Sequence, residues 1–114
     1  MENSILISTK KVLGIGESYT AFDPDIIMFI NTTFSSLAQL GVGEEGGFFI
    51  QDETSEWDEL GLPDKQLHMV KSFVFLKCRV LFDPPGTSFL LEAMDNQIKE
   101  FEWRLNVFRE VELP

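Results

Sequence analysis

Residues 67–82 read LHMVKSFVFLKCRVLF and are closed by Asp83-Pro84-Pro85-Gly86. No other stretch limits the fold as strongly. At helical spacing Leu67, Val70, Val74, Cys78 and Leu81 share one face, and Phe73, Leu76 and Val80 widen it past half the circumference. A helix this apolar needs neighbours on several sides, so the pattern predicts a central helix. Proline cannot continue a helix and biases the residue before it toward extended backbone, which sets the end at Asp83. His68, Lys71, Ser72 and Arg79 break the apolar pattern and stack on one stripe that also carries Phe75 and Phe82. Arginine and aromatic rings are enriched where proteins meet, so the stripe is a candidate contact surface. The same two rings are equally suited to burial under another segment of the chain.

The flanking segments also read as helices. Residues 4–13 fit a short helix, with Lys10 and Lys11 set against its C-terminal dipole and Gly14 closing it. The following Gly-Ile-Gly lacks the third glycine and the preceding strand of a dinucleotide loop. Asp23-Pro24-Asp25 is a helix start: Asp23 can cap, Pro24 suits the first turn, and Asp25 complements the dipole. This helix is expected to reach Leu40, before Gly41. Ile26, Ile30, Phe34 and Leu37 form its apolar stripe, and Asn31, Thr32, Ser35, Ser36 and Gln39 form an uncharged polar face fit for contact with another helix or subunit. A glycine-rich loop, 41–47, leads to a brief extended run, Phe48-Phe49-Ile50, too short for a sheet of its own. A short helix or turn is expected from Thr54, anchored by Trp57 and Leu60, and Asp64 is expected to cap the central helix.

The last helix is predicted from Thr87 or Ser88 to Arg109, antiparallel to the central one across the short break. Leu90, Ala93/Met94, Gln97/Ile98, Phe101, Leu105 and Phe108 form its inward stripe, with Trp103 outward beside Glu102 and Asn106. At 1.5 Å per residue it spans roughly 33 Å, so its C-terminal end is expected to project. Residues 1–114 then form one all-α domain, a small bundle of about four helices with a central hydrophobic helix, a long C-terminal helix and at most a short extended segment. No repeat or linker divides it.

Composition narrows the function. Nineteen acidic residues against nine scattered basic ones leave a net charge of −10, which opposes adhesion to nucleic acid. The lone cysteine, Cys78, sits on the apolar face as an inert thiol and gives no disulfide scaffold. No segment reaches the length of a membrane span, and the first residues lack a signal-peptide pattern, so synthesis in the cytoplasm is expected. No catalytic set emerges. His68 is the only histidine and lies ten residues from Cys78, G-x-S-x-G is absent, and Glu100 and Glu102 point to different sides of their helix. Asp52, Glu53, Glu56, Asp58 and Glu59 do not match a calcium loop and read as a solvated face. No cofactor, metal or catalytic residue is therefore assigned, and the chain reads as a protein that works by binding other proteins. Six residues are the candidate interface: Phe75, Arg79, Phe82, Phe101, Trp103 and Phe108.

Several phrases together resemble a known family. They are F-D-P-D-I-I-M-F-I-N at 22–31, Q-L-G-V-G at 39–43, L-F-D-P-P at 81–85 and E-W-R-L-N at 102–106. The chain is similar to head-to-tail connector (adaptor) proteins of long-tailed bacteriophages and prophages. The resemblance implies a structural virion protein with no enzymatic activity, placed at the virion neck after assembly in the host bacterial cytoplasm. Such subunits form a closed ring of about a dozen copies, in some cases only on assembly. The ring lies beneath the portal protein, joins it to a downstream neck or tail-completion protein, and lets DNA pass without specific binding. No membrane is involved. Residues 101–114 would dock on the portal, and the acidic surplus would keep DNA from sticking in the channel. The competing expectation is a small acidic cytoplasmic adaptor with no phage role, packing a partner helix against its own. A small acid–base enzyme is a third class and requires a pocket with perturbed carboxylates.

Overall fold

The computed structural model describes residues 3–42, 47–84 and 86–112, with side chains as far as residue 107. Four helices follow one another: α1 Ile5–Val12, α2 Asp23–Gln39, α3 Asp64–Phe82 and α4 Ser88–Glu112. A single 3-10 turn, Trp57–Leu60, precedes α3. No strand occurs among the described residues, and Ser4 and Glu56 form an isolated antiparallel bridge. The fold is the small all-α bundle that the apolar periodicity predicts, and residues 48–50 lie in the non-helical stretch between α2 and the 3-10 turn.

α3 is the central helix. Val70, Phe73, Val74 and Cys78 are fully enclosed, and α1, α2 and α4 all pack on it. α2 and α4 lie on different flanks of α3 and barely touch each other. Each large apolar side chain withdrawn from water contributes about 1.5–3 kcal/mol, so this shared helix holds the bundle together. One expected core residue is not in the core. Leu81 is exposed: Phe22 packs on the last turn of α3 at Phe82, and Leu81 lies about 100° away round the helix.

α1 begins as expected. Ser4 caps it, its hydroxyl oxygen accepting from the Ile7 amide at 3.3 Å. Gly14 ends it at φ +81°, a conformation that costs glycine little. Lys10 does not simply face the helix dipole in water. It is 1% exposed, its ammonium donates to the Glu17 carbonyl at 3.0 Å, and it lies 2.8 Å from Oδ1 of Asp23. That carboxylate oxygen is buried, and the ion pair is its only close partner among the described residues, off the hydrogen-bond direction. Asp23 is therefore the first residue of α2 and the counter-ion of α1, not the helix cap; Phe22 holds the cap position without a side-chain bond. The same displacement occurs at α3, where Pro63 precedes the helix and Asp64 is its first residue.

The segment before α3 is knitted to the start of the chain. The Ile5 amide donates to the Ser55 carbonyl and the Trp57 amide to the Asn3 carbonyl, both at 3.0 Å. Trp57 is buried, and its indole N–H donates to the Ser8 hydroxyl at 2.9 Å. The helical turn begins at Trp57, three residues after the expected Thr54, because Asp52 accepts from both the amide and the hydroxyl of Thr54 and bends that stretch into a local turn. Asp52, Glu53, Glu56, Asp58 and Glu59 are all exposed, as a solvated face requires. The expected glycine-rich loop lies partly outside the described residues.

α4 runs 25 residues, about 37 Å at 1.5 Å per residue. Thr87 caps it, its hydroxyl oxygen accepting from the Leu90 amide at 3.3 Å. Ile98 and Leu105 are buried and Phe101 is half-buried, but Leu90, expected to face inward, is exposed and its neighbour Phe89 is 79% exposed. Two helices that cross at an angle touch over only a few turns, and here those turns are in the later half of α4. The described part that stands clear of the core is thus the start of α4. The far end, expected to project, has no described side chains beyond residue 107.

Candidate interaction surfaces

The polar stripe of α3 lies along one wall of an open groove. Near α1 the groove encloses about 770 Å³ and is lined by Lys11, Val12, Trp57, Lys71 and Phe75, among others. Beside it a second hollow of about 350 Å³ shares Val12 and Phe75 and adds Ser72, Arg79, Gln97 and Phe101. Three of the expected interface residues, Phe75, Arg79 and Phe101, therefore meet in one place. Phe75 is half-buried, edge-on to Trp57 at 5.8 Å between ring centroids. Lys71 lies over the same indole, its ammonium 5.6 Å from the ring centroid. Arg79 is exposed, and its Nε–H donates to the Asp83 carbonyl at 3.0 Å, which holds the guanidinium at the groove wall.

The other expected residues lie elsewhere. Phe82 is half-buried in an aromatic ladder at the α3–α4 turn, edge-on to Phe22 at 5.3 Å, and Phe22 is in turn edge-on to Tyr19 at 5.6 Å. Trp103 is 67% exposed on the outer face of α4. Phe108 lies outside the described side chains.

A second surface lies on the opposite flank. The uncharged face of α2 forms a shallow hollow of about 700 Å³, lined by Met28, Thr32, Ser35, Gln39 and Phe49 among others. Asn31 is only half exposed there, because its side chain is engaged. Its amide group donates to the Ile50 carbonyl at 3.0 Å, and its oxygen accepts from the Ile50 amide at 2.9 Å. This pair of bonds satisfies backbone groups that a neighbouring strand would otherwise pair. It buries Ile50, leaves Phe48 edge-on to Phe34 at 5.7 Å, and turns Phe49 outward with 67% of its surface exposed.

Sequence reasoning overlooked Phe49, Val12 and the Lys10–Asp23 pair. For Phe49 a signal was available: alternation in an extended triplet puts the middle residue on the face opposite its neighbours. For Val12 and the ion pair none was, since each depends on which helices meet.

The chemistry of the interior is quiet. Burial pushes the Cys78 thiol up to about 12, so it stays protonated, and inert as a nucleophile, at neutral pH. No group of His, Cys, Asp and Glu able to hold a metal occurs among the described residues. No helix, among the described residues, is long and apolar enough to cross a membrane.

A small helical bundle that offers exposed aromatic faces and a charged groove has the build of an assembly component. Comparison with known families agrees: the family model for phage connector proteins matches residues 5–112, and the chain belongs to that family. It is thus a connector-type structural protein of a phage, one that associates with other head or tail proteins. No curated protein and no solved structure matches the chain.

Proposed function

We propose that the chain is one subunit of a ring beneath the portal protein, joining the head to a downstream neck or tail-completion protein and letting DNA pass. Residues 1–114 act as a single connector domain. The match to the connector family over residues 5–112 carries this reading. α4 supports it: the helix continues to Glu112, beyond Leu105, its last described buried residue, and carries the exposed Trp103 on its outer face. The outward side of residues 101–114 at Trp103, together with Phe108, is the portal-docking end. The net charge of −10 suits a channel wall that DNA slides past, because phosphates are repelled.

Mixing purified subunit with portal rings tests the docking. The full chain is expected to co-sediment with the rings, and a chain truncated after Asn106, which keeps the buried Leu105, is expected to stay folded and lose binding. Failure of the folded full chain to bind, or undiminished binding after truncation, overturns the reading.

A further inference from the structure

We propose that Phe49 and the acidic run that follows it seat in the groove between α1, α3 and α4 of a second copy of this chain. The proposal rests on the ring reading above and names the contact that would build the ring.

The groove has an unusual character for so acidic a protein. Its floor is apolar, with Val12, Phe75 and Phe101, and its walls carry Lys11, Lys71 and Arg79 against one acidic lining residue, Glu17. A segment that fills it must be acidic and must bring an apolar anchor. The chain contains such a segment. Phe49 is the exposed anchor, and Asp52, Glu53 and Glu56 follow it, all exposed. The Asn31–Ile50 clasp fixes the backbone beside the ring, so docking orders little that is not already ordered. Opposite charges across the contact offset the general repulsion between two chains of charge −10 and set their orientation.

The two surfaces also sit where assembly needs them. Phe49 lies over the outer face of α2, and the groove is on the α4 side of α3. Because α2 and α4 occupy different flanks of α3, Phe49 does not block the groove of its own chain. A contact between two different surfaces of one chain is head-to-tail and propagates, giving a ring where the rotation per subunit closes and a filament where it does not.

Engineered cysteines test the contact without removing Phe49. Gln51 and Gln97 are both exposed, one beside the anchor and one on the groove wall. A chain carrying Gln51→Cys and Gln97→Cys, oxidised at high concentration, is expected to form a ladder of dimers, trimers and larger species. A mixture of the two single variants is expected to stop at dimers. Phe49→Ala and Arg79→Glu are each expected to cut the yield about tenfold, as loss of a central anchor does. Asp52→Lys with Glu53→Lys in the neighbouring copy is expected to restore much of the Arg79→Glu loss. The proposal falls if the ladder is no stronger than that of an exposed control pair using Glu92→Cys, if Gln51→Cys alone dimerises equally well, or if Phe49→Ala changes nothing. It also falls if the groove variants abolish portal binding and leave the ladder intact, because the groove would then belong to the portal. A ladder from a chain that ignores portal rings would refute the proposed function and leave this contact standing; portal binding without a ladder would do the reverse.

Discussion

Removing either partner of the Lys10–Asp23 pair is expected to destabilise the fold by different amounts, and the order follows from burial. The Lys10 side chain is 2% exposed and the Asp23 side chain 21% exposed, at a separation of 2.8 Å. Breaking a buried pair typically costs 3–5 kcal/mol, because one charge is left without a partner. Asp23→Asn leaves the ammonium, which has almost no access to water, with the Glu17 carbonyl but no counter-charge, and is expected to cost about 3 kcal/mol. Lys10→Met keeps the aliphatic stem packed and strands a carboxylate that still reaches solvent, so about 2 kcal/mol is expected. At about 4 °C per kcal/mol for a chain of this size, these are Tm losses of roughly 12 and 8 °C. The double variant should be less destabilised than the sum by at least ~1.5 kcal/mol, since neither charge is then stranded. Urea denaturation followed by circular dichroism measures all three. Additivity within about 0.5 kcal/mol, or a smaller loss for Asp23→Asn than for Lys10→Met, would refute the argument.

Three further outcomes are expected. Asn31→Ala removes both bonds to Ile50 and should cost about 2 kcal/mol, with faster hydrogen exchange at the Ile50 amide as the local reporter. Leu105→Ala should cost about 2–5 kcal/mol through the cavity it leaves, whereas Trp103→Ala, on the outer face of the same helix, should change stability by less than about 0.5 kcal/mol. Cys78 should resist a thiol reagent in the native protein and react fully in urea. Because burial raises its thiol from 9.0 to about 12, the folded chain keeps a proton that the unfolded chain loses. That stabilisation is whole below pH 9.0 and is lost as pH rises toward about 12, at up to ~1.4 kcal/mol per pH unit. A Cys78→Ala chain should lack this component of alkaline destabilisation.

Legibility in the sequence depended on whether a feature is local. The bounds of α2 and α3 follow from Asp-Pro-Asp at one end and Asp-Pro-Pro-Gly at the other, because proline and capping chemistry act within a turn. Val70, Val74 and Cys78 are buried as their spacing requires, and Trp57 is an anchor as its size requires. The misplaced residues are those whose fate depends on a neighbour's length. Leu81 and Leu90 continue their apolar stripes past the point where another element covers them. Lys10 looks like an ordinary basic residue at a helix end until Asp23, thirteen positions later, is brought to it by the turn between α1 and α2. One wall of the groove was visible as the α3 stripe; its other walls, on α1 and α4, were not, since periodicity names a helix's face without naming what stands opposite it.

The stitching between residues 3–8 and 53–58 bears on the order in which the protein comes together during synthesis. The links from Asn3 to Asp58, Ser4 to Glu53 and Ser8 to Trp57 each span about fifty positions. α1 emerges from the ribosome before α2 and α3, yet at eight residues it is too short to persist alone. Its N-terminal fastening does not exist until Trp57 has been made, and α3, the helix it packs on, follows later still. α1 is therefore made before its partners and secured after them, and closing so long a loop carries an entropic cost that local contacts do not. A nascent chain halted before residue 57 would hold α2 without its companion, with the apolar side of α1 still open to solvent.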